Sequence, residues 1–412
     1  MEQKTSISPY AEYRKSDDIH GTALYPGVMV APVQRDILKE YMPSSSGVTV
    51  CDPFMGSGTA LYEAAALNSK ASLLGSDINP LAVFISKVKL TGVCEESVKR
   101  ELQAIRSCLS EVRDDAPIME FYNRDKWFKS EIARSLTAIH NAVSQIEDDR
   151  CRCFFWYMMI DIVRKYCNSR SSTYKLHVRV QSQIDNIENG VIADYLKKID
   201  EEYHFFLRED SATFTLNQGD SISYLKGLDD GAVDICITSP PYGDNETTIP
   251  YGQYSALAMS WINPEDLNLA GWELEGYAAI DSRSLGGWRH EASSDDRISI
   301  CDDALSEQIE SICEKKQLKV KRFMRGYQQF LDEASRVTKR TMVFTLGNRT
   351  VDGVNIDLAG FTQRYLDARG WSVEERMRRP IKHKRTPSSV SRVNGKPVAS
   401  MKEEIVLIAL NS

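Results

Sequence analysis

Two short runs in this 412-residue chain have residue types and spacing that could do chemistry. The first is Asp52-Pro53-Phe54-Met55-Gly56-Ser57-Gly58-Thr59. Glycines at 56 and 58 let the backbone turn tightly and approach a bound molecule closely. No lysine follows them, so the run is not a phosphate loop, and the third glycine of a dinucleotide fingerprint is missing. Asp77 follows 25 residues after Asp52, at the end of the next apolar run, with Ile78, Asn79 and Pro80 behind it. A carboxylate there can accept both hydroxyls of a ribose. The pair suits a nucleoside-containing cofactor without a pyrophosphate; the alternative is a plain glycine turn and a helix-capping aspartate.

The second run is Asp234-Ile-Cys-Ile-Thr238-Ser239-Pro240-Pro241-Tyr242. Prolines stiffen the exit from the apolar segment, so the Ser239 hydroxyl and the Pro240 carbonyl are placed to accept both hydrogens of an exocyclic amine. Tyr242 offers a face for a planar base, which suits a nucleobase that leaves its helix to be modified. Read blandly, the run is only a rigid strand exit. Cys236 sits among apolar residues and belongs to a core. No Pro-Cys pair occurs, so the chemistry that attacks cytosine C5 through a cysteine has no candidate nucleophile.

These runs need elements to hold them. Strand-like segments fall at Gly47–Asp52, Ala71–Asp77, Thr213–Leu216, Ala232–Ile237, Thr341–Thr345, Trp371–Arg376 and Glu404–Leu410, seven in all. Helices are expected over Thr59–Leu67 and from Pro80 to about Leu90, which makes a βαβ unit with a right-handed crossover. Apolar spacing is helical through Val98–Val112, Ile132–Ile146, Phe154–Tyr166 and Ile187–Phe206, and predicts an inserted helical lobe packed on itself. One long helix is expected over Ala304–Val337, after a polar, aperiodic stretch at 264–302. The chain therefore divides into 1–94 and 213–412, two parts of one α/β domain, around a helical insertion at 95–212.

Composition narrows the class. With 42% hydrophobic and 26% charged residues the chain can bury a core. No apolar run approaches a membrane span, and the start lacks a secretory h-region, so a soluble cytoplasmic protein is expected. Nine scattered cysteines and six isolated histidines show neither a disulfide framework nor metal-ligand spacing, and no metal is expected. The net charge of −7 argues weakly against a polyanion partner, yet basic residues cluster at 376–396, at 315–325 and, more thinly, at Arg164, Lys165, Arg170, Lys175 and Arg179.

With these residues in view, the chain resembles the amino-group DNA methyltransferases that use S-adenosylmethionine. Asp52–Thr59 is similar to the family's cofactor motif and Thr238-Ser-Pro-Pro-Tyr242 to its catalytic motif, in the Ser-Pro-Pro-Tyr form typical of members acting on cytosine N4. The segment after His20, through Tyr25 and Pro26, resembles the part that closes over the methionine end of the cofactor, and Asp220 the acidic residue that meets adenine. Phe344–Thr350 resembles a strand and loop beside the catalytic face.

The resemblance implies a seven-stranded Rossmann-like methyltransferase sheet with one reversed C-terminal strand. It implies cofactor contacts at Tyr25, Pro26, Asp52, Pro53, Phe54, Gly56, Gly58, Thr59, Asp77, Ile78 and Asp220. Ser239, Pro240, Pro241 and Tyr242 would be catalytic, and double-stranded DNA the partner. A companion restriction endonuclease in a bacterial, archaeal or phage setting is part of the same expectation, with the oligomeric state left open. The 95–212 lobe falls between the ribose-contact and adenine-contact strands, which departs from the family's usual motif order. It and the 264–325 stretch are the candidates for reading DNA, with the basic 376–396 segment flanking the active face. Adenine-N6 and RNA-base methylation are the rival activities, and a DNA-binding protein on an inactive scaffold is the rival class.

Overall fold

A computed structural model describes residues 10, 12–45, 47–208, 213–245, 248–291, 299–380, 391–393, 396–398 and 403–411. The first half of the sheet comes from β1 (Thr49–Asp52) and β2 (Ser72–Asp77), with helices α1 (Ala31–Tyr41), α2 (Thr59–Leu67) and α3 (Pro80–Thr91). α3 starts where the Asn79 side chain accepts the Leu81 N–H and Pro80 presets the first turn; it stops at Gly92, with φ 65°. Among the described residues six α-helices follow before the next strand of the sheet: α4 (Glu95–Ser110), α5 (Arg124–Trp127), α6 (Ser130–Ser144), α7 (Asp149–Tyr166), α8 (Gln181–Asp185) and α9 (Val191–Glu202).

The remainder runs β3 (Thr213–Gln218), α10 (Ser221–Lys226), β4 (Val233–Thr238), α11 (Tyr251–Met259), α12 (Ala279–Arg283), α13 (Asp303–Glu310), α14 (Glu314–Val337) and β5 (Thr338–Leu346). Then come a small hairpin, β6 (Arg349–Val351) and β7 (Val354–Ile356), and α15 (Leu358–Asp367). The chain ends with β8 (Trp371–Pro380), a second hairpin, β9 (Ser391–Val393) and β10 (Lys396–Val398), and β11 (Glu403–Asn411). Neither hairpin was anticipated from the sequence.

The seven main strands form one sheet in the order β3-β2-β1-β4-β5-β11-β8. β11 is antiparallel to both β5 and β8, and the other pairings are parallel, so a single C-terminal strand is reversed. This is the α/β, Rossmann-like methyltransferase class that the sequence led us to expect. Alternation along the strands sorts the two faces. Val50, Ile235, Ile237, Val343 and Ile408 pack with α1 and α2, while Cys51, Cys236, Phe344 and Leu407 pack with α10, α14 and α15. The strand order reverses direction at β1 and β4, and ligands of such sheets sit at the carboxyl ends of these strands.

Three expectations need amendment. The helical insertion does not keep a core to itself: Leu136 and Ile139 of α6, Trp156 and Met159 of α7 and Tyr195 of α9 share one cluster with Leu81, Phe84 and Ile85 of α3. α7 makes this possible because residues Cys153–Ile160 are buried all round, so it is sandwiched rather than laid on a surface. The single helix expected over Ala304–Val337 is two, α13 and α14, which part just before Cys313, whose N–H the Asp352 carboxylate accepts. The aperiodic 264–302 stretch is partly interior: Ile280, Asp281, Leu285 and His290 are buried, and Asp281 accepts the Gly252 and Gln253 N–H groups at the start of α11.

The basic C-terminal segment is also less available than its charge suggests. Arg376 pairs with Glu40, Arg378 with Glu375 and Glu403, and Arg379 with Glu404. Residues 381–390, with Lys382, Lys384 and Arg385, and the side chains of Arg392 and Lys396 lie outside the described residues. No helix among the described residues is long and apolar enough to cross a membrane, and all nine cysteines are free thiols.

Candidate active site

The glycine turn joins β1 to α2. Gly56 and Gly58 have φ of 49° and 72°, a region that favours glycine, and a Cβ at 58 would come within 2.7 Å of the Ser86 hydroxyl. α3 grips the turn from behind: Ser86 donates to the Gly56 carbonyl at 2.9 Å, and the buried Lys89 ammonium donates to the Ser57 carbonyl at 3.0 Å. In front, the Gly56 N–H donates to Asp77 Oδ2 at 3.0 Å and the Asn79 N–H to Asp77 Oδ1 at 2.8 Å. Burial raises the Asp77 pKa to about 6 against those two bonds, which lower it.

The N-terminal segment is tied to the same region. His20 Nε2 lies 2.9 Å from Glu63 Oε1, and Arg35 donates to both Glu63 oxygens. Ligand-type atoms of Asp18, His20 and Glu63 lie within 4.8 Å of one another, but the guanidinium and imidazole already engage the Glu63 carboxylate. This anchor brings Tyr25 over the glycine turn, where its hydroxyl accepts from Asn79 at 3.0 Å and its ring stacks on Tyr251.

At the end of β4, Ser239 donates to the Thr345 carbonyl at 3.1 Å, and the Tyr242 hydroxyl lies 3.3 Å from Ser239 Oγ. With its hydrogen on the Thr345 carbonyl, Ser239 accepts from the Tyr242 hydroxyl and keeps one further lone pair as an acceptor. Burial pushes the Tyr242 hydroxyl well above its ordinary pKa, so it stays a neutral phenol. Arg349, just beyond β5, donates to Asp244 and fixes the loop that follows Tyr242.

Two cavities meet here. The larger is walled by Tyr25, Pro26, Phe54, Gly56, Thr59, Asp77, Ile78, Asp220, Ser239 and Pro241, among others. The smaller is walled by Ser239, Pro240, Pro241, Tyr242, Thr248 and Ile249, among others. Gly27, Ser239, Pro241, Asn245 and Tyr251 line both. Thus residues of both motifs line the larger cavity, and the smaller adjoins it. Asp52, Pro53 and Gly58 do not line it; Asp52 and Pro53 support the turn from beneath, and Gly58 is its hinge at the start of α2.

Several lining residues were not singled out in the sequence. Tyr251 and Asn245 stand between the cavities, and Ile280, Ser284 and Leu285 close one wall. The signal for Tyr251 was a proline and an aromatic residue soon after the second run; Asn245 and the 280–285 wall offered none. Asp220 carries a partner that spacing did not reveal: His290 Nε2 lies 2.6 Å from its Oδ1. Burial alone would raise the Asp220 pKa, but the bond from His290 and those from Ser223 hold it below the usual value.

No protein-family model matches the chain. It is 26% identical over 429 aligned residues to the type II methyltransferase M.MvaI of Kocuria varians, covering 95% of this chain and 91% of that protein. A shorter match, 25% identical over 173 residues, is to the type II methyltransferase M.MjaII of Methanocaldococcus jannaschii, covering 39% of this chain and 31% of that protein. The chain is thus similar over nearly its whole length to a protein of that description.

Proposed function

We propose that the protein is a site-specific DNA methyltransferase that uses S-adenosylmethionine and methylates the N4 amine of a cytosine turned out of duplex DNA. The observation that carries this reading is the wall shared by the two cavities, which sets Ser239 and Pro241 beside the glycine turn in one cleft. The similarity to type II methyltransferases supports the methyl-transfer reading.

The donor set suits the cofactor. Ser57, Thr59 and Asn245 line the larger cavity, and the side-chain oxygen of each is buried without a hydrogen-bond partner. Unpaired buried polar atoms are costly and mark places where a ligand completes the bonding. Asp77 would hold the ribose through its remaining lone pairs, Asp220 and Ile78 would border the adenine, and Tyr25 with Pro26 would cover the methionine end. Phe54, Gly56 and Thr59 would form the floor, with Asp52, Pro53 and Gly58 maintaining the turn beneath them. When bound, S-adenosylmethionine supplies a methyl group on a sulfonium, activated toward a weak nucleophile.

What the protein itself must do is make the cytosine amine a better nucleophile. The amine's lone pair is delocalised into the ring. Ser239 Oγ and the Pro240 carbonyl, each accepting one N–H, would favour a pyramidal nitrogen with its lone pair free. Tyr242 would stack against the base, and Pro241 would hold the loop rigid. The reaction needs no covalent enzyme intermediate, and the buried Cys236 takes no part. The serine at 239 favours cytosine over adenine. The helical insertion and the 264–325 stretch would supply the DNA-reading surface.

Incubation with labelled S-adenosylmethionine and duplex DNA, followed by digestion to nucleosides and mass identification, tests the reading. N4-methylcytosine is the expected product. N6-methyladenine would overturn the base assignment, and label entering tRNA but not DNA would overturn the substrate.

A further inference from the structure

Residues 162–184 contain no aspartate or glutamate, in a chain that has 58 of them and a net charge of −7. The same stretch carries Arg164, Lys165, Arg170, Lys175 and Arg179. Three of these cations are committed within the fold. Arg164 donates to the Thr173 carbonyl at 3.0 Å and lies over the Tyr254 ring, Lys165 pairs with Asp194, and Arg179 Nε donates to the Ser169 carbonyl at 2.9 Å. Arg164 and Arg179 shape a hairpin beyond the end of α7. It is closed by Arg170 N–H to the His177 carbonyl and Arg179 N–H to the Asn168 carbonyl, both 2.8 Å.

The tip of that hairpin is Arg170-Ser-Ser-Thr-Tyr-Lys175. Arg170, Ser171 and Ser172 are exposed, Lys175 is half-buried, and neither cation has a carboxylate partner among the described residues. The hairpin is not free to wander. The Tyr174 ring meets the Tyr254 ring edge-on at 5.6 Å, and the Leu176 N–H reaches the Gln253 side chain at 3.4 Å, both on α11. α11 begins at Tyr251, which lines both cavities, so the hairpin stands about one helical turn from the cleft. The Tyr254 hydroxyl also donates to the carbonyl of Leu24, an exposed residue next to the cavity wall at Tyr25.

Resting on the methyltransferase reading, we infer that the hairpin 168–179 is a clamp for the phosphate backbone of duplex DNA beside the flipped base. Phosphate contacts come from arginine, lysine and hydroxyl side chains and set the register of a duplex without reading its sequence. An acid-free, hydroxyl-rich tip packed on the helix whose first residue lines the cleft supplies those groups. In a protein of net negative charge, such a patch also attracts a polyanion to its face.

The test compares Arg170→Ala/Lys175→Ala with the charge-keeping Arg170→Lys/Lys175→Arg protein. Binding to a fluorescein-labelled duplex of mixed sequence is read by anisotropy between about 50 and 200 mM salt. Cofactor binding by calorimetry and label transfer to the same duplex are read in parallel. Loss of two phosphate contacts should weaken duplex binding by ~10-fold or more and reduce the log–log salt slope by about 2. Cofactor affinity should not change, and the charge-keeping protein should bind as the parent does. Parent-like affinity and salt slope in the alanine protein, with the parent methylating the duplex, would overturn the clamp alone. A loss confined to a stem-loop RNA probe would overturn it as well, and failure of the parent to methylate any duplex would overturn both readings.

Discussion

The Thr238 hydroxyl donates to Asp52 Oδ1 at 2.7 Å, joining the last residue of β4 to the last residue of β1. The same oxygen accepts the Phe54 N–H, while Oδ2 is buried without a partner. One carboxylate therefore fixes the spacing between the glycine turn and the Ser239 loop. Burial raises its pKa to about 7, although the bonds from Thr238 and Phe54 lower it. A folded-state pKa above the unfolded one favours the protonated form, so this site's contribution to stability is present at low pH and is lost as pH rises through about 7. Asp52→Asn keeps an acceptor for both donors and cannot ionise. It should flatten the dependence of Tm on pH between about 4 and 8 and gain most on the parent at the alkaline end. A parent-like profile in the variant would remove Asp52 as its source.

Lys89 gives a pH dependence of opposite sign. Its ammonium is buried against the Ser57 carbonyl, and burial, helped by Lys15 and opposed by Asp18, lowers its pKa to about 7. Between about pH 7 and 10.5 the unfolded chain binds the extra proton, so stability should rise with pH across that window. Lys89→Met keeps the bulk and removes the charge. Urea denaturation at the two ends of the window should show a gain for the parent that the variant lacks. The variant should also bind S-adenosylmethionine more weakly, because the Ser57 carbonyl loses its donor and the glycine turn loosens.

The strand ends were readable because each is a β-branched or apolar run that stops at a residue of distinct character, with Asp52 before proline, Asp77 before a capped helix and Thr238 before Ser-Pro-Pro. Local pattern fixes such features within a few residues. What escaped depends on partners distant in the chain. The break between α13 and α14 has neither glycine nor proline; the Cys313 N–H there is held by Asp352, 39 residues away. Asn245 becomes a cavity wall only because the loop after Tyr242 folds back, held by Arg349 and Asp244. His290, isolated in sequence, meets Asp220 across 70 residues. The helical insertion read as a separate lobe because helical spacing locates faces but not what covers them. The all-apolar run Phe154–Ile160 was the clue that α7 has neighbours on every side.

Asp77 accepts two backbone N–H groups and still faces the larger cavity. Asp77→Ala removes those acceptors and the proposed ribose contacts together. Each hydrogen bond to a charged group contributes about 1.5–3 kcal/mol, so the cofactor dissociation constant should rise at least ~10-fold. Calorimetric titration with S-adenosylmethionine measures it directly, and an unchanged constant would remove Asp77 from the cofactor site.

Ser239 separates binding from chemistry. It lines both cavities, and its hydroxyl hydrogen is committed to the Thr345 carbonyl, so toward an amine it can act only as an acceptor. Ser239→Ala deletes an acceptor for an N–H that grows more acidic as the nitrogen is alkylated, a bond that strengthens toward the transition state. At about 1.5–3 kcal/mol for such a bond, single-turnover methyl transfer should slow by ~10–100-fold. The cofactor contacts through Asp77 and the glycine turn remain, so the dissociation constant for S-adenosylmethionine should stay within about twofold of the parent. A parent-like transfer rate would leave Ser239 without a role in catalysis. Equal losses of rate and cofactor affinity would instead mean that it shapes the cleft rather than acting on the amine.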